Sequence, residues 1–343
     1  MTRILVRLPN WVGDAAMSLP ALAAIRRRWP SARLDLMTHP RVAGLVRDMP
    51  GIDSCLTIPV RGATGWREVL GRLRAERYDL GILLTPSFSS ALLFSLGGIR
   101  ERVGRRGQGR DWLLTMPLPA GDRQRSQVSQ YVDIARALGY AGDDPPLALA
   151  VTASTRQAVL GWLRERRLEP GRFLAMAPGA TFGPAKLWPA GQFARVGRAL
   201  NQHRGWPTVL VGAPAERGIL DEVASGLAVE VHLFDRPDLA DVVALLSMAG
   251  TLLSNDTGAL HLGRVAGIRV VGLFTSTSPE WTGPLPSEGE ALAAAVACRP
   301  CFRRRCPLTV GRYACLSAIE PGDVVTAVQR QADRPATRAA VKS

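Results

Sequence analysis

Apolar residues in this chain fall into short continuous runs, and amphipathic stretches with helical spacing separate them. In the first half the runs "RILVRL", "RLDLMT", "CLTIPV" and "LGILLT" read as strands. Between them, "AAMSLPALAAIRRRWP", "HPRVAGLVRDMPG" and "WREVLGRLRAERY" repeat their apolar positions every three to four residues and read as helices. The second half restarts the same rhythm with strands in "RFLAMA", "PTVLVGA", "VEVHLF", "GTLLSND" and "RVVGLF". Its helices lie in "AGQFARVGRALNQHR", "AERGILDEVASGL" and "LADVVALLSMAG". Strands this uniformly apolar are covered on both faces, so alternation with helices predicts parallel sheets of the α/β class. Having the rhythm twice predicts two doubly wound, Rossmann-like domains, at 1–155 and 156–333. The pattern is interrupted in "GDDPPLALAVTAS" (142–154), and the stretch 334–343 is expected to be a disordered tail.

Composition supports this picture. At 343 residues, 47% hydrophobic and 21% charged, the chain can bury two sizeable cores. The net charge of +14 biases it toward polyanions: nucleic acid, an anionic membrane face or a phosphorylated substrate. The competing explanation is a genome that favours Arg on solvated faces, because the arginines are spread along the chain. Nucleic acid is the weaker choice, since the Arg-rich stretches lack interleaved aromatics for stacking on bases. The start, "MTRILVRLP", is too short and too charged for a secretory leader. The most membrane-like segment, Leu80 to Ile99, contains Pro86 and a Gly pair, so a buried strand followed by a helix is expected rather than a span. A cytoplasmic protein is expected, with membrane contact at most peripheral.

Cys298, Cys301, Cys306 and Cys315 crowd one window as C-x2-C-x4-C-x8-C. Such clustering in a reducing compartment argues for metal before disulfide, and four thiolates would suit a structural zinc ion. The alternative is free thiols in a packed turn.

In open parallel sheets, ligands bind beyond the carboxyl ends of the strands, so the strand-to-helix turns are the places to search. Three stand out. In "LPNWVGDAAMSLPAL", Asp14 follows the first strand, as either a helix cap or an acid–base group. In "SNDTGALHLGRVAG", Asp256, Thr257, Gly258 and His261 gather a carboxylate, a hydroxyl, backbone N–H groups and an imidazole at one helix start. That arrangement suits a diphosphate. In "APGATFGPAKLWP", Pro184 and Pro189 flank Lys186, which stands as a point charge for phosphate, with Thr181 nearby. The chain lacks a G-x-G-x-x-G after its first strand and has no Walker A, H-E-x-x-H or G-x-S-x-G motif.

Together, "RLPNWVGDAAMSLPAL", "APGATFGPAKLWP" and "SNDTGALHLGRVAG" resemble the bacterial lipopolysaccharide heptosyltransferases of glycosyltransferase family 9. "TPSFSSALLFSLGGIRERVGRRG" and "TSPEWTGPL" are similar to family stretches too, so the likeness runs from about Arg3 to the last helix. The resemblance implies a GT-B fold with two facing domains and a cleft between them, the first taking the acceptor and the second ADP-heptose. It implies inverting transfer of heptose from ADP-L-glycero-β-D-manno-heptose to the lipid A–inner core acceptor at the inner-membrane face. Asp14 would be the general base. Thr181, Lys186, Asp256, Thr257, Gly258 and His261 would bind the donor, with Lys186 also stabilising the leaving group. Arg102, Arg105, Arg106 and Arg110 are the acceptor-side candidates. No catalytic cofactor or metal is implied. Two stretches depart from the family pattern, "FDRPDLADV" around 233–239 and "LFTSTSP" around 274–278, and both bear on donor identity. A paralogue using another heptose acceptor or nucleotide sugar, or a non-catalytic nucleotide-sugar-binding protein, are the alternatives.

Overall fold

The structure is a computed structural model that describes residues 2–58, 63–236 and 238–335. The chain divides into two compact units, Met1–Leu147 and Ala148–Ser343.

The first unit carries strands β1 (Arg3–Arg7), β2 (Arg33–Thr38), β3 (Ser54–Thr57), β4 (Leu80–Leu83), β5 (Glu101–Arg105) and β6 (Met116–Leu118). They form one parallel sheet in the order β3-β2-β1-β4-β5-β6. The second unit carries β7 (Leu174–Ala177), β8 (Thr208–Leu210), β9 (Val231–Leu233), β10 (Thr251–Asn255), β11 (Val270–Phe274) and β12 (Gly289–Ala293). Its order, β12-β11-β10-β7-β8-β9, is the same winding. In each sheet the first strand of the unit sits centrally, and the winding reverses beside it: at β1/β4 in one sheet and at β7/β10 in the other. Loops leaving those strands diverge and leave a crevice at the carboxyl edge, the usual ligand position in doubly wound sheets.

The central strands are apolar throughout because helices cover both faces. Ile4, Leu5, Val6, Leu174, Ala175, Met176, Leu252 and Leu253 are all fully buried. In the first unit, Leu5, Met37, Leu83, Phe94 and Leu113 share one cluster. Gly81 in β4 makes room there, since a Cβ at that position would lie 2.5 Å from the Phe94 ring. Phe94 thereby seats helix Phe88–Leu96 directly on the sheet. In the second unit, Trp188, Phe193, Leu210, Val271 and Val328 form the equivalent core.

The expected strand-then-helix reading of Leu80–Ile99 is what the fold contains, as β4 and Phe88–Leu96. Among the described residues no helix is long and apolar enough to cross a membrane. The strand expected in "CLTIPV" is β3, and its last two residues, 59 and 60, lie outside the described residues. The tail expected at 334–343 is described only at Arg334 and Pro335.

Candidate active site

Two of the three turns singled out in the sequence meet at the β7/β10 crevice. Lys186 follows β7 and Asp256 follows β10, and the two strands are hydrogen-bonded neighbours. Lys186 Nζ donates to Asp256 Oδ2 at 2.6 Å and to the Asp256 carbonyl at 2.9 Å. The lysine is 13% exposed and the carboxylate 3%, so this is a nearly buried ion pair.

Several residues hold the Lys186 loop in place. Gly183 has φ +146°, and a Cβ there would lie 2.7 Å from the Arg304 carbonyl oxygen. The Ala185 N–H donates to that same carbonyl at 3.1 Å, and Thr275 Oγ1 donates to the Ala185 carbonyl at 2.7 Å. Asn255 accepts from the Trp188 N–H at 3.3 Å and donates to the Pro178 carbonyl at 2.7 Å. Trp188 itself is fully buried, and its indole N–H donates to the Ile319 carbonyl. The ammonium therefore starts from a fixed base, and the entropy of placing it is met by the fold.

Around Asp256, Thr277 Oγ1 donates to Oδ2 at 2.6 Å and Thr282 Oγ1 to Oδ1 at 3.3 Å. Burial raises the Asp256 pKa, but the Lys186 ammonium and its hydrogen bond outweigh it. The net shift is well below the usual carboxylate range. His261, on helix Gly258–Val265, places Nε2 3.7 Å from Asp256 Oδ1, beyond hydrogen-bond length. Its Nδ1 lies 3.2 Å from an Arg264 nitrogen, and Arg264 can only donate. Nδ1 must therefore be the acceptor and Nε2 the protonated nitrogen of a neutral ring. Burial, the largest cause, and the cation Arg264 lower its pKa accordingly, although Asp256 acts the other way. Arg264 is in turn fixed by Glu288 at 2.9 Å.

Thr257 is the N-cap residue of that helix, but its side chain makes no capping bond. Thr181 is exposed at the mouth of the loop and reaches Glu216 Oε1 at 3.5 Å. The other Glu216 oxygen accepts from the Ala213 N–H. Ser276 Oγ is buried with no partner among the described residues.

Asp14 lies in the other unit, half-buried after β1 in the first turn of helix Val12–Met17. It is not the cap, since Trp11 occupies that position. Burial, and then the charge on Asp14, push the Tyr131 phenol well above its ordinary value.

The four arginines expected at the acceptor side separate into two groups. Arg110 is fully buried, and its nitrogens donate to the carbonyls of Thr85 and Arg105 at 2.6 and 2.7 Å; burial lowers its pKa to about 10. Arg102 is committed to the carbonyls of Leu113 and Ile99, and Arg105 to those of Pro119 and Gln130. Backbone carbonyls around the β5–β6 loop thus occupy these three. Arg106 is exposed, with no side-chain partner among the described residues.

The zinc expectation finds no support. Among the described residues no three His, Cys, Asp or Glu side chains gather in a way that could hold a metal ion. The four thiols are unpaired. Backbone N–H bonds from Tyr313 and Leu308 lower the Cys306 pKa, and burial raises that of Cys315. The visible work of this segment is done by its non-cysteine residues. Arg304 latches the Lys186 loop, Arg299 donates to the Thr277 carbonyl at 2.9 Å, and the Phe302 N–H donates to the Ser276 carbonyl at 2.8 Å.

Sequence reasoning missed Thr277, Asn255 and Glu216, whose partners come from distant stretches, and Arg264, which acts on His261 one turn away in its own helix. One available signal was overlooked. Of 43 basic residues only two are Lys, Lys186 and Lys342. A chain that uses Arg almost everywhere has an ammonium here, a compact point charge set against Asp256.

The glycosyltransferase family 9 (heptosyltransferase) model matches residues 66–310. The chain is 30% identical over 308 residues to lipopolysaccharide heptosyltransferase 2 of Escherichia coli strain K12, covering 84% of this chain and 87% of that protein. The solved structure of E. coli ADP-heptose LPS heptosyltransferase II superposes with a TM-score of 0.79 at 24% identity, over 97% of this chain and 98% of that one. E. coli heptosyltransferase WaaC with ADP gives a TM-score of 0.70 at 20% identity, over 97% and 98%. The two six-stranded parallel sheets match these GT-B structures.

Proposed function

The chain belongs to glycosyltransferase family 9, the heptosyltransferases, and from that premise we propose that it moves heptose from ADP-heptose onto the inner core of lipopolysaccharide with inversion. It is a glycosyltransferase, and relatives named heptosyltransferase 2 point to heptose transfer in lipopolysaccharide synthesis. ADP as the nucleotide follows the related WaaC structure, which holds it.

The observation that carries the donor assignment is the Lys186–Asp256 pair beside the start of helix Gly258–Val265. An incoming diphosphate would meet the lysine, the positive end of the helix, the Thr257 hydroxyl and the Gly258 backbone together. It would share Lys186 with Asp256, so the ammonium is already aimed when the donor arrives. Neutral His261 would offer Nε2–H as a donor without adding charge. Thr181 is assigned to the donor as well.

Asp14 is proposed as the base. An acceptor hydroxyl oxygen bonds to the anomeric carbon as the bond from that carbon to the diphosphate breaks. The electron pair leaves on ADP, stabilised by Lys186, and the hydroxyl proton passes to the Asp14 carboxylate. Base assistance of this kind contributes about 10²–10⁴-fold in rate. With three arginines occupied by backbone, Arg106 remains the acceptor-side candidate for phosphate or sugar carboxylate.

A second reading, a paralogue with a different nucleotide sugar, draws on one feature. Thr277, in the stretch that departs from the family pattern, donates directly to Asp256. The deciding experiment is ADP release from ADP-heptose, with and without an acceptor bearing one inner-core heptose, for wild type and Asp14→Asn. Acceptor-dependent release that collapses in the variant while donor binding persists is the expected result. Tight ADP binding without turnover favours the paralogue, and no ADP binding refutes the donor site.

A further inference from the structure

The longest uncharged stretch in the first unit runs from Leu80 to Ile99, and the fold uses it in an unusual way. Its first part is the buried strand β4, but its second part, helix Phe88–Leu96, lies at the surface without a single charged residue. Phe94 is buried against Gly81, and that contact fixes which side of the helix faces out. The large residues facing out are Phe88 and Leu96, while Leu92 between them is partly buried against the core. Phe88 is 37% exposed and Leu96 47%. Trp112, on the β5–β6 loop, is 72% exposed and lies tilted against Phe88, with ring centroids 6.3 Å apart.

An uncharged helix that exposes Phe and Leu beside an exposed Trp from a neighbouring loop marks a contiguous apolar patch. Arginines flank them. Arg74 is exposed and donates to the Leu96 carbonyl at 3.1 Å, and Arg100 is exposed four residues further on. Of the carboxylates in the same span, Glu101 is exposed and Asp111 is engaged by the Gly107 N–H at 3.0 Å.

We propose that the Phe88–Leu96 helix and Trp112 form a docking surface for an anionic lipid bilayer, seated in the headgroup layer. An apolar helix face, a Trp with a free polar edge and flanking arginines match the requirements of interfacial binding. Each flanking cation adds attraction to an anionic leaflet. A second copy of this chain is the poorer occupant, since two molecules of net charge +14 would bring like-charged rims together. The proposal rests on the reading of a lipid-borne acceptor for its biological sense, but the surface itself is tested without turnover.

The test is co-sedimentation with vesicles of phosphatidylethanolamine and phosphatidylglycerol, against pure phosphatidylcholine, for wild type and Phe88→Ser/Trp112→Ser. Both proteins are checked for ADP binding and far-UV dichroism, so that a misfolded variant is recognised. A second variant, Arg74→Glu/Arg100→Glu, isolates the charge. Wild type is expected to bind the anionic vesicles in low salt and to release in high salt. The aromatic variant should partition about tenfold less or weaker still, and the charge variant should lose the preference for phosphatidylglycerol. Binding by the aromatic variant equal to wild type overturns the proposal, as does wild type that ignores anionic vesicles. A wild-type dimer that the aromatic variant dissolves assigns the face to self-association. If the aromatic variant loses turnover on a delipidated core oligosaccharide as fully as on the lipid-borne acceptor, the pair is a sugar platform and the proposal fails.

Discussion

Lys186 and Asp256 satisfy one another, and this makes the site a self-neutralised device. Removing one partner leaves the other charge buried, which typically costs about 3–5 kcal/mol. Lys186→Met is expected to destabilise by that amount in urea melts. Adding Asp256→Asn should recover most of the loss while ADP binding stays absent in calorimetric titration. Stability returning without binding separates the lysine's ligand role from its structural one. If binding returned too, Lys186 would have no part in holding the diphosphate.

His261 allows a prediction with a definite sign. Its folded-state pKa lies below the ordinary value of about 6.5. As pH falls below that value the unfolded chain takes up a proton that the folded ring refuses, so stability drops with acidification. Above it, both states are neutral and the residue contributes no slope. His261→Gln should flatten the stability profile on the acid side of pH 6.5, compared with wild type by denaturant midpoints. The Asp256 carboxylate acts in the same direction in more acid solution. Its depressed pKa contributes stability that is whole above the ordinary carboxylate value and is lost progressively below it.

At the scale of elements, the loop between β7 and the next helix depends on Gly183. Alanine there would meet the Arg304 carbonyl at 2.7 Å and would have to adopt φ +146°, a region closed to side chains. Gly183→Ala is expected to cost about 1–3 kcal/mol and to weaken ADP binding, while far-UV dichroism stays unchanged. A variant that binds ADP as well as wild type would show that the loop tolerates a different seat.

Elements also show where sequence reading succeeds. The apolar runs that became β1, β2, β4, β7, β10 and β11 are buried on both faces, so each residue reports its own environment. β5, β6 and β12 were not legible. "ERVGR" is charged along most of its length and "GEALA" has weak strand preference, so their pairing is imposed by β4 and β11 rather than by their own residues. The site divides the same way. Asp256, His261 and Lys186 could be found because each sits next to a strand end and carries distinctive chemistry. Thr277 and Arg264 looked ordinary, since their roles exist only through partners at Asp256 and His261. Charge in the sequence also does not disclose that backbone carbonyls lie opposite the guanidinium groups of Arg102, Arg105 and Arg110.

For the molecule as a whole, each unit has its own sheet and its own core, and the donor groups assigned above all belong to the second. ADP should therefore slow amide exchange within 148–335, strongest in β7, β10 and helix Gly258–Val265. A ligand at a hundred times its Kd stabilises what it binds by about 2.7 kcal/mol. The amides of β1 and β2 should exchange at their ligand-free rates. Equal protection in both units would mean that the nucleotide is recognised by the molecule as one body.

The latches on the Lys186 loop have a consequence in time. Asn255, Thr275, Arg304 and Ile319 all follow the loop they fasten, the last by 131 residues in sequence. During synthesis the strands around β7 can be present while the ammonium still has nothing to anchor it. On the donor site proposed above, nucleotide recognition would be a late-acquired property of the nascent chain, arriving only once the region around Ile319 has emerged and closed over Trp188. In refolding, the burial of that indole should follow the formation of the sheet and coincide with the first appearance of ADP binding.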